Sequence, residues 1–112
     1  MEESILLTIK KLLGPSADVE AFDTDIIAHI NTVFLTLQQL GVGPAEGFSI
    51  EDDGATWNEF IGDNKKLNAV QTYIYLKVKL VFDPPLNSSV LESNKQTINE
   101  LEWRLRTEAE SK

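Results

Sequence analysis

The residues with the clearest potential for chemistry lie between positions 38 and 62, in the stretch QQLGVGPAEGFSIEDDGATWNEFIG. Five of the six glycines occur there, and glycine-rich loops can bind phosphate through free backbone N–H groups. The spacing Gly41-x-Gly43-Pro44-x-x-Gly47, however, matches neither the dinucleotide-binding fingerprint nor the P-loop, and no Lys-Ser or Lys-Thr pair follows it. The stretch therefore does not predict a nucleotide site.

An acidic run within the same stretch raises the question of a cation site. Glu51, Asp52 and Asp53 are consecutive and precede Gly54. A calcium loop instead places oxygen ligands at alternate positions, followed by a turn glycine and a distal glutamate. Because consecutive side chains diverge, we expect no metal ion and no cofactor at this run.

Other polar residues do not form a catalytic constellation. His29 is the single histidine, and the chain has no cysteine. One histidine cannot form a His-rich metal site, and a catalytic base also needs a nucleophile and an orienting acid. Glu100 and Glu102 point to different faces of a predicted helix, so they do not form an acid/base pair. We interpret His29 as structural and expect that the protein is not an enzyme.

Length and composition are those of one globular domain. A chain of 112 residues with 42% hydrophobic content can form a single modest core, so we expect one domain over residues 1–112. No apolar run approaches the roughly 18 residues that a membrane span needs, and the acidic start is unlike a secretory signal. The absence of cysteine agrees with a reducing cytoplasm. We expect no membrane partner.

The net charge of −8 disfavours a nucleic-acid-binding surface, because binding phosphates requires clustered Lys and Arg. Its distribution is uneven: residues 1–63 carry 12 acidic and 2 basic side chains, whereas residues 64–112 carry 6 and 8. Such a split favours head-to-tail attraction between copies. A solvated acidic surface is the simpler interpretation of the same charges.

The first half of the chain has helical periodicity in two segments. Apolar residues recur at helical spacing in residues 5–13, and a Gly-Pro pair stops this segment. The pattern i, i+3, i+4, i+7 also runs through residues 25–40. Asp23 or Thr24 is the expected N-cap of the second helix, and Gly41 stands where a left-handed C-terminal residue is needed.

Further helices are predicted after the glycine-rich loop. Thr56 and Glu59 fit a capping box, so a short helix should begin at Trp57 and end at Gly62. Asp63 should cap the following helix, which is apolar over so wide an arc that we expect burial on more than one side. A strand is the competing interpretation for residues 73–82, which are rich in β-branched and aromatic side chains.

The last helix should begin at Ser88 or Ser89, with Ser89 and Glu92 forming a second capping box. Its apolar seam has one polar member and consists of Leu91, Asn94, Ile98, Leu101 and Leu105. The predicted fold is therefore all-α: a small bundle of four to five helices with one long, glycine-rich acidic loop, part of which would also fit a short β-hairpin.

Large apolar groups outside this pattern suggest contacts with another protein. Trp57 and Phe60 follow the acidic loop, and Trp103 lies beside the final seam rather than in it. Each of them could cover a small core, but together they exceed the apolar surface that a monomer needs to expose. The predicted protein-contact residues are Gly43, Pro44, Phe48, Ile50, Asp52, Asp53, Trp57, Phe60 and Trp103.

Four segments carry a resemblance to a known family: FDTDIIAHINTVFLTLQQLGVGP, FSIEDDGATWNEFIGD, VQTYIYLKVKLVFDPP and INELEWRLR. In pattern and order they resemble the small head-tail connector proteins (neck adaptors) of tailed bacteriophages and prophages, and most closely those of phages of Gram-positive bacteria. The resemblance extends from about Phe22 to Arg106. It implies a helical structural protein of the virion neck that assembles in the host cytoplasm.

The resemblance also implies partners. Such proteins form a homo-oligomeric ring, commonly a dodecamer, between the portal protein and the next neck or tail completion protein, and DNA only passes through the channel. In this family the extended loop and the terminal segments often contact ring neighbours, which here means Gly41 to Trp57 and the final helix. The length and glycine content of this loop depart from the family pattern. The resemblance therefore leaves open whether the loop faces a ring neighbour, the portal or the channel lumen.

A second interpretation belongs to another class of protein. The acidic first half would also suit a small regulatory or inhibitory protein that binds one acceptor by mimicking DNA. That interpretation predicts a 1:1 complex that salt weakens strongly. A third, an enzyme subunit of the packaging machinery, lacks any nucleotide motif.

Overall fold

The computed structural model describes residues 4–17, 19–61 and 67–110. Within these residues the chain forms α-helices and two single-turn 3₁₀ helices, and it forms no strand, which confirms the predicted all-α class. A β-hairpin does not form in the loop, where the described residues make only an isolated antiparallel bridge between Ser4 and Thr56. The helices are α1 (Ile5–Leu13), α2 (Asp23–Leu40), α3 (Trp57–Ile61), α4 (Leu67–Phe82) and α5 (Ser88–Glu110), and the 3₁₀ turns are Pro15–Ala17 and Glu20–Phe22.

Helix α4 lies at the centre of the bundle, where it contacts α1, α2 and α5. Val70, Tyr73 and Ile74 are fully buried, so the helix interpretation of this segment and its predicted burial on more than one side are both confirmed. Val81 is the exception, because it stands 61% exposed in the last turn of the helix. None of the described helices is both long enough and apolar enough to cross a membrane.

Helix α2 begins earlier than predicted and without the predicted cap. The 3₁₀ turn before it runs directly into the helix, so Phe22 takes the N-cap position with no side-chain hydrogen bond. Asp23 already has helical dihedral angles, φ −58° and ψ −42°. The prediction that Asp23 or Thr24 caps α2 is therefore wrong. At the other end, Gly41 has φ 89° and ends the helix as predicted.

The Asp23 carboxylate forms an ion pair instead of capping the helix. Its Oδ1 accepts a hydrogen bond from Lys10 Nζ at 2.6 Å. Lys10 lies on the buried face of α1 and is only 9% exposed, and a buried ammonium group requires an opposite charge. This pair joins α1 to the first turn of α2.

The two predicted capping boxes have different outcomes. The box before α3 is confirmed: Thr56 N–H donates to Glu59 Oε1 at 2.8 Å, and Glu59 N–H donates to Thr56 Oγ1 at 3.3 Å. The box at Ser89 is wrong, because Asn87 Oδ1 accepts from Ser89 N–H at 2.8 Å and from Val90 N–H at 3.2 Å. Asparagine is among the best N-cap residues, and here it acts one position before the helix. The predicted Gly62 end of α3 and Asp63 cap of α4 lie outside the described residues.

Helix α5 packs on the bundle through a narrow stripe, as its predicted seam implies. Ile98 and Leu105 are 5% and 2% exposed, while Leu91, Asn94 and Leu101 are half-buried. Most of the other residues of α5 face solvent. The helix therefore adds a long polar surface to one side of the molecule.

Candidate protein-contact surfaces

The loop from residue 41 to residue 56 is held against the bundle by side chains of α2. Asn31 Nδ2 donates to the Ile50 carbonyl at 3.0 Å, and Asn31 Oδ1 accepts from Ile50 N–H at 2.8 Å. Gln38 Nε2 donates to the Ala45 carbonyl at 2.9 Å. Gly47 N–H donates to the Pro44 carbonyl at 3.0 Å and closes a turn. The backbone of the loop is thus fixed at several points.

Three phenylalanines form the apolar anchor of this loop. The ring centroids of Phe34 and Phe60 are 4.6 Å apart, and Phe48 lies 5.2 Å from each of them. Gly43, at φ 89°, passes so close to this cluster that a Cβ atom there would overlap the Phe60 ring. A glycine is needed here both for its backbone conformation and for the close approach.

Three of the predicted contact residues belong to the core of the chain itself. Ile50, Trp57 and Phe60 are 2%, 3% and 4% exposed. The Trp57 indole also donates to Thr8 Oγ1 at 3.0 Å, which ties α3 to α1. In this conformation these side chains do not face a partner, because hydrophobic packing within the chain already covers them. Phe48 is half-buried in the same cluster.

The acidic tip of the loop remains on the surface. Asp52 and Asp53 are exposed, and Asp52 Oδ1 accepts from Gly54 N–H at 2.8 Å in a local turn. Together with Glu51 they border a recess of about 310 Å³ that also touches Asp23 and the start of α2. Among the described residues no group of three or more His, Cys, Asp or Glu side chains has the arrangement of a metal site. The tip presents negative charge to solvent.

Trp103 is the most exposed aromatic residue predicted as a contact. It is 64% exposed on the outer face of α5, as its position beside the seam implies. Gly43 is also exposed, and Pro44 is half-buried. The predicted contact residues do not form one exposed patch, because Trp57 and Phe60 are packed inside while Trp103 is exposed on α5.

A surface groove between α2 and α4, here called the α2–α4 groove, was not predicted from the sequence. Its mouth has a volume of about 380 Å³ and is lined by Phe22, Asp25, His29, Val81, Phe82 and Asp83. A second part of about 210 Å³ shares His29 and Val81 and continues along the two helices past Thr32, Val33, Lys77 and Leu80. The ring of Phe22 packs edge-on against Phe82, with centroids 5.4 Å apart, at the end of the groove.

A polar network joins α4 to α5 beneath the exposed face of α5. Tyr73 Oη donates to Glu102 Oε2 at 2.7 Å, and Lys77 Nζ lies 3.8 Å from the same carboxylate oxygen. Burial, together with the hydrogen bond to the Glu102 carboxylate and its charge, raises the pKa of the Tyr73 phenol. The network fixes the position of α5 along α4.

Sequence reasoning missed this network and the Lys10–Asp23 pair. The sequence could have predicted a carboxylate partner for Lys10. This lysine shares a helix face with Leu6 and Leu13, and a cation on a buried face needs an opposite charge. Tyr73 and Glu102 are 29 positions apart, and nothing in their own helices pairs them. Their contact depends on the register between α4 and α5.

The described residues thus define a small all-α protein whose surface carries an acidic loop tip, an exposed Trp103 and the α2–α4 groove. A family model described as "Phage connector protein" matches residues 5–112. The chain therefore belongs to the phage connector protein family, which assigns it a structural role as a head-tail connector and confirms the resemblance to that class of protein. The likeness to phages of Gram-positive bacteria stays a prediction. Searches of curated proteins and of solved structures give no significant match.

Proposed function

We infer that the chain is a non-enzymatic, ring-forming connector in the neck of a phage particle. It docks beneath the portal protein, meets the next neck or tail completion protein on its other side, and surrounds the path of the DNA. The observation that carries this proposal is the family match over residues 5–112. Its subunits assemble from the host cytoplasm into the virion.

Charge supports a channel role. A net charge of −8 gives a surface that repels rather than binds phosphates. The acidic residues Glu51, Asp52 and Asp53 form an exposed tip at one place on the molecule. We assign this tip either to the channel wall or to a basic surface of a neighbour, and assign Trp103 to a subunit contact.

The proposal is tested by locating the protein and counting its copies. Cryo-electron microscopy of the virion should show density for this helical bundle as a ring between portal and tail, and the mass of the ring should be a multiple of 12.5 kDa. A protein that is absent from the neck would contradict the proposed function. A stable 1:1 complex with one acceptor, dissociated by salt, would favour the acidic inhibitor instead.

A further inference from the structure

The α2–α4 groove combines apolar side chains with two carboxylates at its mouth, and it becomes more apolar further along the helices, where Lys77 also lines it. Phe22 and Val81 are 38% and 61% exposed at its mouth, which leaves apolar surface open to solvent. Asp25 and Asp83 stand at the same mouth. Asp25 has no ion-pair partner among the described residues, whereas Asp83 lies 3.8 Å from Lys79. A large apolar side chain accompanied by a cation would complement both properties.

Trp103 on α5 has these properties. Its indole is mostly exposed, although tryptophan is the residue most enriched at the centres of protein interfaces. Arg106 lies three positions further along the same helix face and has no ion-pair partner among the described residues. Leu86, in the connection between α4 and α5, is more exposed, but no basic residue stands near it in the sequence. Trp103 with Arg106 therefore fits the groove better than Leu86 does.

The groove mouth and Trp103 are separate patches on the surface: Glu102, next to Trp103, bonds Tyr73, which lies about 14 Å along α4 from Phe82 at the mouth. The packing of Phe22 on Phe82 places the groove mouth at the start of α2 and the end of α4. A Cβ atom at Gly41 would lie 3.0 Å from the Cβ of Ala109, which places the end of α5 beside the end of α2. Trp103 is six positions before Ala109, or about 9 Å along the helix. Two different complementary patches on one chain generate a head-to-tail contact, and such a contact closes into a ring when the rotation permits.

We propose that Trp103 of one copy inserts into the α2–α4 groove of the next copy, with Arg106 facing the Asp25 side of the groove mouth. The mouth volume of about 380 Å³ lies in the range of pockets that hold organic groups of this kind. The groove is thus one half of a subunit interface, and the exposed face of α5 is the other half. This inference rests on the proposed ring and assigns the residues that join its neighbours.

Cross-linking tests the contact directly, because a chain without cysteine gives engineered thiols no competitors. Thr32 lines the groove and is exposed, and Thr107 is exposed one helical turn after Trp103. The double variant Thr32→Cys/Thr107→Cys, treated with a short bis-maleimide at increasing protein concentration, should give a ladder of multimers on a denaturing gel. Each single variant should stay monomeric on the same gel, since a head-to-tail contact never brings two copies of one position together.

The second part of the test replaces Trp103, the residue proposed to insert into the groove. Trp103→Ala in the double-cysteine background should reduce the ladder at least tenfold. Leu7→Ala is the matched control, since Leu7 is 51% exposed on α1 and does not line the groove, and it should leave the ladder unchanged.

Three outcomes would overturn the inference. One is a ladder that survives Trp103→Ala, and another is dimers from either single variant. The third is the absence of a ladder, whether the protein sediments as a ring or stays monomeric at every concentration. A sedimenting ring without a ladder would reject this contact and leave the proposed function standing, whereas absence from the virion neck would reject the proposed function itself.

Discussion

Asn31 binds both backbone polar groups of Ile50, at 2.8 Å to its N–H and 3.0 Å to its carbonyl. A side chain in the middle of α2 therefore replaces the strand partner that this extended part of the loop lacks. The bond pair holds Ile50 in the core and leaves the acidic residues that follow it on the surface. The glycine-rich loop is consequently an ordered part of the domain rather than a free arm.

Replacing Asn31 should release this part of the loop. Asn31→Ala should lower the free energy of unfolding by about 1–3 kcal/mol, because it leaves two backbone groups of Ile50 without partners in a largely buried place. Urea unfolding measures the change. Gln39→Ala is the control, since Gln39 is exposed on the same helix and its loss should stay within about 0.5 kcal/mol. Equal effects of the two substitutions would contradict the role given to Asn31.

Gly43 should tolerate no side chain. Gly43→Ala should destabilise the fold by about 2–4 kcal/mol, the sum of a left-handed backbone conformation and overlap with the Phe60 ring. Gly14→Ala separates the two causes, because Gly14 has φ 96° but open space around it. Because its ψ of −169° lies in a region that only glycine adopts readily, that variant should lose about 1–3 kcal/mol in thermal or urea unfolding from backbone strain alone. A smaller loss at Gly43 than at Gly14 would show that the loop does not pack on Phe60 in this way.

Replacing Trp57 should greatly reduce the stability of the fold, whereas replacing Trp103 should hardly change it. Trp57→Ala should cost about 3–5 kcal/mol and reduce helicity by circular dichroism, because Trp57 is 3% exposed in the core. Trp103→Ala should change stability by no more than about 0.5 kcal/mol, because its side chain is 64% exposed. Fluorescence of the single-tryptophan variants Trp103→Phe and Trp57→Phe provides an independent check, with the blue-shifted emission expected from Trp57. If both emission maxima matched that of water-exposed tryptophan, the placement of Trp57 would be wrong.

Alkaline pH should weaken the contact between α4 and α5. The unfolded chain releases the Tyr73 proton near the ordinary tyrosine pKa of 10.0, while burial and Glu102 raise the pKa in the folded chain. The folded state then binds more protons than the unfolded state, so the free energy of unfolding must fall as pH rises above about 10, by at most about 1.4 kcal/mol per pH unit. Below that pH this contribution is fully present.

The comparison of Tyr73→Phe with the native chain isolates this effect. Tyr73→Phe should lose about 1 kcal/mol at neutral pH, because it removes a hydrogen bond to a carboxylate, and the difference from the native chain should shrink as pH rises above 10. Tyr75→Phe keeps the Tyr73–Glu102 bond and should retain the alkaline loss. Parallel pH profiles of stability for the native chain and Tyr73→Phe would count against the network.

The amino-acid sequence determined what depends on neighbours along the chain. The 3.6-residue periodicity of the apolar positions predicts the helices, Gly41 marks the end of α2, and Thr56 with Glu59 marks the start of α3. These features could be read because each helix end is decided by hydrogen bonds within three or four residues. Even here a 3₁₀ turn before Asp23 moved the start of α2, and Asn87 replaced Ser89 as the cap of α5, although α5 begins at Ser88 as predicted.

Only the tertiary structure decided which side chains are free to meet a partner. Sequence spacing treats Trp57, Phe60 and Trp103 alike, as large aromatic groups near polar segments. Packing between α1, α2 and α3 buries the first two, because they complete the core beside Phe34 and Thr8. Trp103 stays outside, because the Tyr73–Glu102 bond and the seam of α5 turn the opposite face of that helix inward. Burial depends on contacts between residues far apart in the chain, and local periodicity does not specify them.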